Sequence, residues 1–213
     1  MSKNSPYPNR QTLAIAAPSK WLVIWVVIAI LLLAVNMRAP IIGFGAVAKY
    51  IQHDLGLSTK TIGLIGTIPV TAFAASSFIA PMISRRIGLE NTLVLSASML
   101  ALGIFVRAWQ PALGFLVVGT VLLSLAISLG NVLAPAVIKK YTPHNIGLVM
   151  GTYSMFLSVF AGVASGVAVP LVTHAGWQFA LSVWGWVSIA ALAAWLGVVH
   201  LRLRPKISSD DQD

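Results

Sequence analysis

Cysteine is absent from the 213 residues, and only five are acidic: Asp54, Glu90, Asp210, Asp211 and Asp213. Without a thiol there is no disulfide framework, no thiolate nucleophile and no cysteine-bound metal. Charge of either sign is scarce, at 9% of residues against the roughly 25% of a soluble domain. The four histidines, His53, His144, His174 and His200, fall outside or at the ends of the apolar runs. That argues against an intramembrane metal site, and neither a metal nor a cofactor is expected. What the chain has in abundance is hydrocarbon: 58% of its residues are hydrophobic and the mean hydropathy is +0.88. This is the composition of an integral membrane protein. A net charge of +9 would suggest nucleic acid in a soluble chain, but here the basic residues punctuate apolar runs. Their role is topogenic, the partner they imply is the lipid bilayer, and no nucleic-acid partner is expected.

One stretch organises the rest. Trp21 to Tyr50 carries no charge except Arg38 and Lys49, and about 20 apolar residues already cross a bilayer. Arg38 therefore sits well inside the hydrocarbon, between Asn36 and Pro40. Five further apolar spans follow, and the six run about 21–50, 62–83, 91–109, 112–138, 146–172 and 178–200 by hydropathy. Each is expected to be helical, because backbone polar groups find no water partner in lipid. Residues 1–19 are polar and proline-containing and read as a flexible cytoplasmic tail. They are not a secretory signal, since the apolar run that follows is far longer than a signal's ~7–15 residues. A transmembrane bundle is expected over 20–205, with a second cytoplasmic tail at 206–213.

Lysine and arginine set the orientation. Lys3, Arg10, Lys20, Arg85, Arg86, Lys139, Lys140, Arg202, Arg204 and Lys206 fall on one side of a six-span reading. Lys49, Lys60 and Arg107 fall on the other. The positive-inside rule then puts both termini in the cytoplasm, and a multi-pass protein of the plasma membrane (a bacterial inner membrane) is expected.

The first and second halves of the chain resemble each other. Asn36-Met-Arg-Ala-Pro40 in span one matches Asn131-Val-Leu-Ala-Pro135 in span four, and Ala46-Val-Ala-Lys-Tyr50 matches Ala136-Val-Ile-Lys-Lys-Tyr141. Ile62-Gly-Leu-Ile-Gly-Thr67 then matches Ile146-Gly-Leu-Val-Met-Gly-Thr152. Three matches in one order indicate a duplicated three-helix unit. Three is odd, so the second copy is inverted in the membrane. The expected fold is an all-α membrane protein of six transmembrane helices in two inverted three-helix repeats.

Arg38 is the first candidate for chemistry. An intramembrane guanidinium costs at least ~2.5–3.5 kcal/mol to insert and ordinarily pairs with a carboxylate or backbone carbonyls, yet none of the five acids lies within an apolar span. Its partner is an anionic or strongly polar substrate, water in a central cavity, or a residue of another chain. Span four carries Ser124, Ser128, Asn131 and Pro135 along one helical face. That face is read either as a cavity-lining stripe, with Asn131 the mate of Asn36, or as interhelical hydrogen bonding. The candidate substrate-binding set is thus Arg38, Asn36, Asn131, Ser128 and Ser124. In span five Ser154, Ser158, Gly162 and Gly166 recur at every fourth position, and Ser158, Gly162 and Gly166 are expected to form a helix-packing ridge. Arg107 and Trp109 read as an interfacial anchor. Gly162-Val-Ala-Ser165-Gly166 loosely resembles the serine motif of six-helix intramembrane proteases. A serine nucleophile needs an activating base within reach, however, and His174 and His200 lie at opposite ends of their spans. No enzymatic activity is expected. An aquaporin-like channel is disfavoured by the lack of an Asn-Pro-Ala pair.

The blocks Val35–Ile41, Asp54–Val70, Ala80–Leu93, Gly103–Trp109 and Ala126–Pro143, with Gly176-Trp177 opening span six, together resemble the cyanate/nitroimidazole transporter branch of the major facilitator superfamily over about residues 20–200. The resemblance implies secondary transport by alternating access between two six-helix bundles, with helices one and four lining the shared cavity. It also implies a gating role for the cytoplasmic loop between helices two and three, here Arg85, Arg86 and Gly88. Against the superfamily's Gly-x-x-x-Asp-Arg-x-Gly loop, Pro81 replaces the glycine and Arg85 the aspartate, whereas Arg86 and Gly88 match. A complete transporter of this kind has about twice this length and twelve helices. The expectation is therefore the N-terminal half of a transporter for a small polar or anionic solute, cyanate- or nitroimidazole-like, paired with a second six-helix half or with itself. The alternative is a degenerate half that serves only as a packing subunit. With no carboxylate or histidine well inside its spans, this half offers no obvious proton carrier.

Overall fold

The computed structural model describes residues 19–203, which are almost wholly helical. The tails expected at 1–19 and 206–213 lie, Ser19 apart, outside these residues. Helix α1 runs Lys20–Asp54, α2 Thr59–Ile87, α3 Leu89–Trp109, α4 Leu113–Tyr141 and α5 Ile146–Leu203. All five are long and apolar enough to cross a membrane. Several overrun their hydropathic bounds: α2 continues through Arg85 and Arg86, and α4 through Lys139 and Lys140. Helix persists there because a charged residue at an interface ends an apolar run without ending the backbone ladder. Ser58 starts α2 by accepting the Thr61 N–H at 3.1 Å on its Oγ, an N-cap bond.

Five continuous runs thus stand where six spans are expected, and the difference lies in α5. Its 58 residues would extend roughly 87 Å at 1.5 Å per residue, nearly three hydrocarbon cores. Its geometry breaks at Gly176, at φ 81° and ψ 165°, a region open in practice only to glycine. Contacts with α1 reveal what the break does. In the first arm, 146–175, the Tyr153 hydroxyl meets Met37 Sδ at 3.1 Å, and Ala168 and Val172 pack with Phe44, Val47 and Ile51. That arm follows α1 in the same direction. In the second arm, 177–203, Trp177 Nε1 donates to Asp54 Oδ2 at 2.7 Å and Ser188 Oγ donates to Asn36 Oδ1 at 2.8 Å. That arm runs back along α1, so the chain reverses at Gly176. Gly176→Ala is expected to cost about 1–3 kcal/mol, the strain of a non-glycine residue in that region. Denaturation in mixed micelles measures it, with Gly147→Ala, where an added Cβ meets nothing within 4 Å, as the neutral control.

Helix α1 is the axis of the packing. Val26, Ile30, Leu33 and Met37 enter one buried cluster with Leu93, Leu100, Ile127 and Trp195. Phe44, Val47 and Ile51 enter a second with Ile65, Leu116, Trp177 and Leu181. The outer members are buried on one stripe only. In α2 the stripe is Ile65, Pro69, Ala72, Ser76 and Ala80, and in the first arm of α5 it is Val149, Tyr153, Ala164, Ala168 and Val172. The remaining faces of both are open, and so is a stripe of α1 made by Arg38, Ile42, Gly45 and Lys49.

Candidate functional site

Arg38 lies on that open stripe. Met37 and Ala39 beside it are buried, so the helix turns the guanidinium out of the core and into a groove of about 520 Å³ shared with Ile42, Ser154, Leu157, Ser158 and Ala161. Among the described residues Arg38 makes no hydrogen bond or ion pair. Asn131 is half-buried at the same depth, where the Tyr153 hydroxyl lies 3.4 Å from its Oδ1 and 3.1 Å from Met37 Sδ. Arg38, Asn131, Tyr153, Ser154 and Ser158 therefore come together. Ser154 and Ser158 are exposed, with Ser158 Oγ bonded back to the Ser154 carbonyl at 3.1 Å.

The other expected contacts turn inward. Asn36 is 0% exposed, donating to the Leu32 carbonyl at 3.1 Å and accepting from Ser188 at 2.8 Å. It ties α1 to the second arm of α5. Ser128 is 0% exposed and spends its proton on the Ser124 carbonyl at 2.7 Å, while Ser124 Oγ is buried without a partner. None of the three lines the groove: Asn36 faces the second arm of α5, and α4 is buried on every side from Ala126 to Gly130. The Ser158, Gly162 and Gly166 ridge is exposed, and a Cβ added at either glycine meets nothing within 4 Å. Arg85 and Arg86 are exposed around an open groove with Phe78, Pro81 and Met82, and Gly88, at φ 89° and ψ 158°, makes the turn between α2 and α3.

Two buried ionic groups escaped the sequence reading. Arg107, expected at the interface as an anchor, is instead 1% exposed. Its Nη1 donates to the Pro40 carbonyl at 3.1 Å and its guanidinium lies 6.0 Å from the Phe44 ring centre. It is drawn in because Gly119 lets the α3 backbone come close: a Cβ there would stand 2.4 Å from Arg107 N. Glu90, also 1% exposed, accepts from Lys140, from Tyr141 at 2.6 Å and from Arg202 at 2.7 Å. It joins the start of α3 to the ends of α4 and α5. The signal for it was present, since Glu90 is the one acid between Asp54 and Asp210 and stands beside the basic connections.

The Major Facilitator Superfamily profile matches residues 16–212, nearly the whole chain. The chain belongs to the major facilitator superfamily. Among its relatives it is 35% identical over 176 residues to an uncharacterized transporter, YycB, of Bacillus subtilis (strain 168), covering 81% of this chain and 43% of that protein. It is 34% identical over 168 residues to the 2-nitroimidazole transporter of Escherichia coli (strain K12), covering 78% of this chain and 42% of that one. This superfamily member therefore spans less than half the length of the curated relatives it matches. It is a multi-pass membrane protein, and its isolated intramembrane arginine sits on an open face of its helical bundle.

Proposed function

We propose that this chain is the N-terminal half of a secondary transporter that moves a small polar or anionic solute by alternating access. The observation that carries the reading is Arg38, a cation deep in an apolar span, turned into an open groove with no acid or carbonyl among the described residues to satisfy it. A guanidinium presents paired donors that fit carboxylate-like and nitro-like oxygens two at a time, and the Escherichia coli relative is named for a nitroimidazole. Asn131, Tyr153, Ser154 and Ser158 supply polar groups around it. The open faces of α1, α2 and the first arm of α5 are where a second six-helix body, or a second copy, would close the cavity. The ridge of Ser158, Gly162 and Gly166 would then pack against that partner.

The same reading makes the fold six spans in two inverted triplets. Gly88 and Gly176 take nearly the same backbone conformation (φ 89° and 81°, ψ 158° and 165°) and stand at corresponding joints, between spans two and three and between spans five and six. Ser96 of the third span donates to the Ala126 carbonyl of the fourth at 2.7 Å, as Ser188 of the sixth donates to Asn36 of the first at 2.8 Å. Each triplet's last helix thus leans on the other's first. With the Glu90 end cytoplasmic, both termini lie inside, consistent with a bacterial inner membrane and with a gating role for Arg85, Arg86 and Gly88.

Binding of 2-nitroimidazole and of cyanate to the chain joined with its second half tests the proposal. Arg38→Ala is expected to weaken binding about 10–100-fold, since a hydrogen bond to a charged group is worth about 1.5–3 kcal/mol. Arg38→Lys is expected to restore part of it, because the charge returns without the fork. Wild-type affinity in Arg38→Ala overturns the assignment. A wild-type assembly that folds and binds neither solute favours a half that only packs.

A further inference from the structure

Two tethers bracket Arg38 along α1. Two residues before it, Asn36 Oδ1 accepts from Ser188 Oγ of the second arm of α5 at 2.8 Å. Two residues after it, the Pro40 carbonyl accepts from Arg107 Nη1 of α3 at 3.1 Å. Asn36 and Pro40 stand four apart on one face of the helix, and Arg38 lies about half a turn away from both. It is the one exposed residue between Leu33 and Pro40. The helix is held by its back while the guanidinium faces the groove.

The hold matters because the backbone ladder is incomplete at this point. Pro40 has no N–H, so the bond it would make to the Asn36 carbonyl is missing, and a proline inside a helix costs about 3 kcal/mol or more. Helix α1 nonetheless continues from Lys20 to Asp54. A missing ladder bond is where a helix bends, and a bend between residues 36 and 40 redirects the side chain at 38. Arg107 meets α1 at this joint, with the Phe44 ring, one turn further on, 6.0 Å from its guanidinium.

Stability alone does not account for an arginine there. Arg107 is 1% exposed, its Nε and Nη2 are buried with no partner, and among the described residues no carboxylate meets it. Replacing a buried charge by a well-packed hydrophobic side chain of similar volume is often neutral or stabilising. What the guanidinium supplies, and hydrocarbon does not, is a donor aimed at one carbonyl.

We propose that Arg107 is a positioning residue for Arg38: it braces the proline joint of α1 and so sets the direction in which Arg38 enters the groove. Its effect on solute binding rests on the transport reading. The bracing of the broken ladder does not.

The chain has no cysteine, so a nitroxide attached to Arg38→Cys reports this joint alone in the purified chain. One ordered spectral component is expected. Arg107→Met is expected to add a mobile component and Pro40→Ala to remove it again, because an alanine N–H restores the ladder and makes the brace dispensable. Binding of 2-nitroimidazole is measured with Arg38 in place, on the chain joined with its second half, and is expected to follow the same pattern. Affinity falls at least tenfold in Arg107→Met and returns to near wild type when Pro40→Ala is added. Arg107→Lys, which keeps a donor, recovers most of the loss. The denaturation midpoint of Arg107→Met is expected to stay at or above that of the wild type. A label spectrum unchanged by Arg107→Met, or a loss that Pro40→Ala does not repair, overturns the proposal. So does an Arg107→Met protein that unfolds, or whose midpoint falls together with its affinity, since Arg107 then serves packing. If the label behaves as expected and the wild type binds no solute, the brace stands and the transport reading falls.

Discussion

Gly119→Ala is expected to destabilise the bundle by about 3 kcal/mol, the upper end of the range for overpacking a close-packed interior. A Cβ at Gly119 would lie 2.4 Å from Arg107 N, 2.5 Å from its Cβ and 2.6 Å from its Cα. Two of those atoms are backbone and cannot step aside by changing rotamer. Gly103, one turn earlier on α3, is equally constrained, with a Cβ falling 2.6 Å from Leu123 N and 2.9 Å from the Gly119 carbonyl. The helices α3 and α4 therefore meet main chain to main chain, the contact that small residues permit in a membrane where no hydrophobic effect drives helices together. One added methyl must push the pair apart along that seam and carry Arg107 away from Pro40. The matched comparison is Gly162→Ala, where the same methyl enters open space and is expected to change stability by less than ~0.5 kcal/mol. Reversible denaturation in mixed micelles, followed by tryptophan fluorescence, measures both. Equal effects would show that the α3–α4 seam yields more readily than this spacing allows.

Gly119 also marks where the sequence stops being legible. Helical spans were readable because length and hydropathy are local quantities, and the joint at Gly176-Trp177 was readable because a glycine interrupts two apolar runs. Arg38 stood out for a similar reason: no acid shares its depth, and that follows from counting along the chain. Which way a polar residue faces is another matter. Asn36 and Arg38 are two positions apart, and only the packing of α1 against the second arm of α5 sends one to Ser188 and the other to the groove. Ser124 and Ser128 share a face with Asn131, yet α4 is enclosed on all sides there, so spacing carries no directional signal. The burial of Arg107 depends on Gly119 of α4 and Pro40 of α1, residues remote in sequence whose meeting no pattern within α3 announces. Small residues show the same limit. The regular Ser158, Gly162 and Gly166 spacing is open in this chain, whereas the unpatterned Gly103 and Gly119 make the tight contact.

Lys140→Ala combined with Arg202→Ala is expected to cost about 3–5 kcal/mol, the penalty for stranding one member of a buried ion pair. Glu90 is 1% exposed, whereas Lys140 and Arg202 have side chains 44% and 51% exposed. The asymmetry decides which deletion hurts. Remove the carboxylate and both cations can turn to water; remove both cations and the carboxylate keeps only the Tyr141 hydroxyl, 2.6 Å away. Either single variant leaves one cation in place, so each is expected to cost well under half of the double. The decisive arm is Glu90→Gln added to the double variant. It removes the uncompensated charge while keeping the shape and an acceptor for Tyr141, and it is expected to recover most of the lost stability. Denaturation midpoints of the four proteins test this. Failure of Glu90→Gln to restore the double variant would mean that the two basic side chains act through packing of their stems and not through the charge they neutralise. Because Glu90 opens α3 while Lys140 and Arg202 close α4 and α5, recovery would also establish that these three helix ends share one side of the membrane.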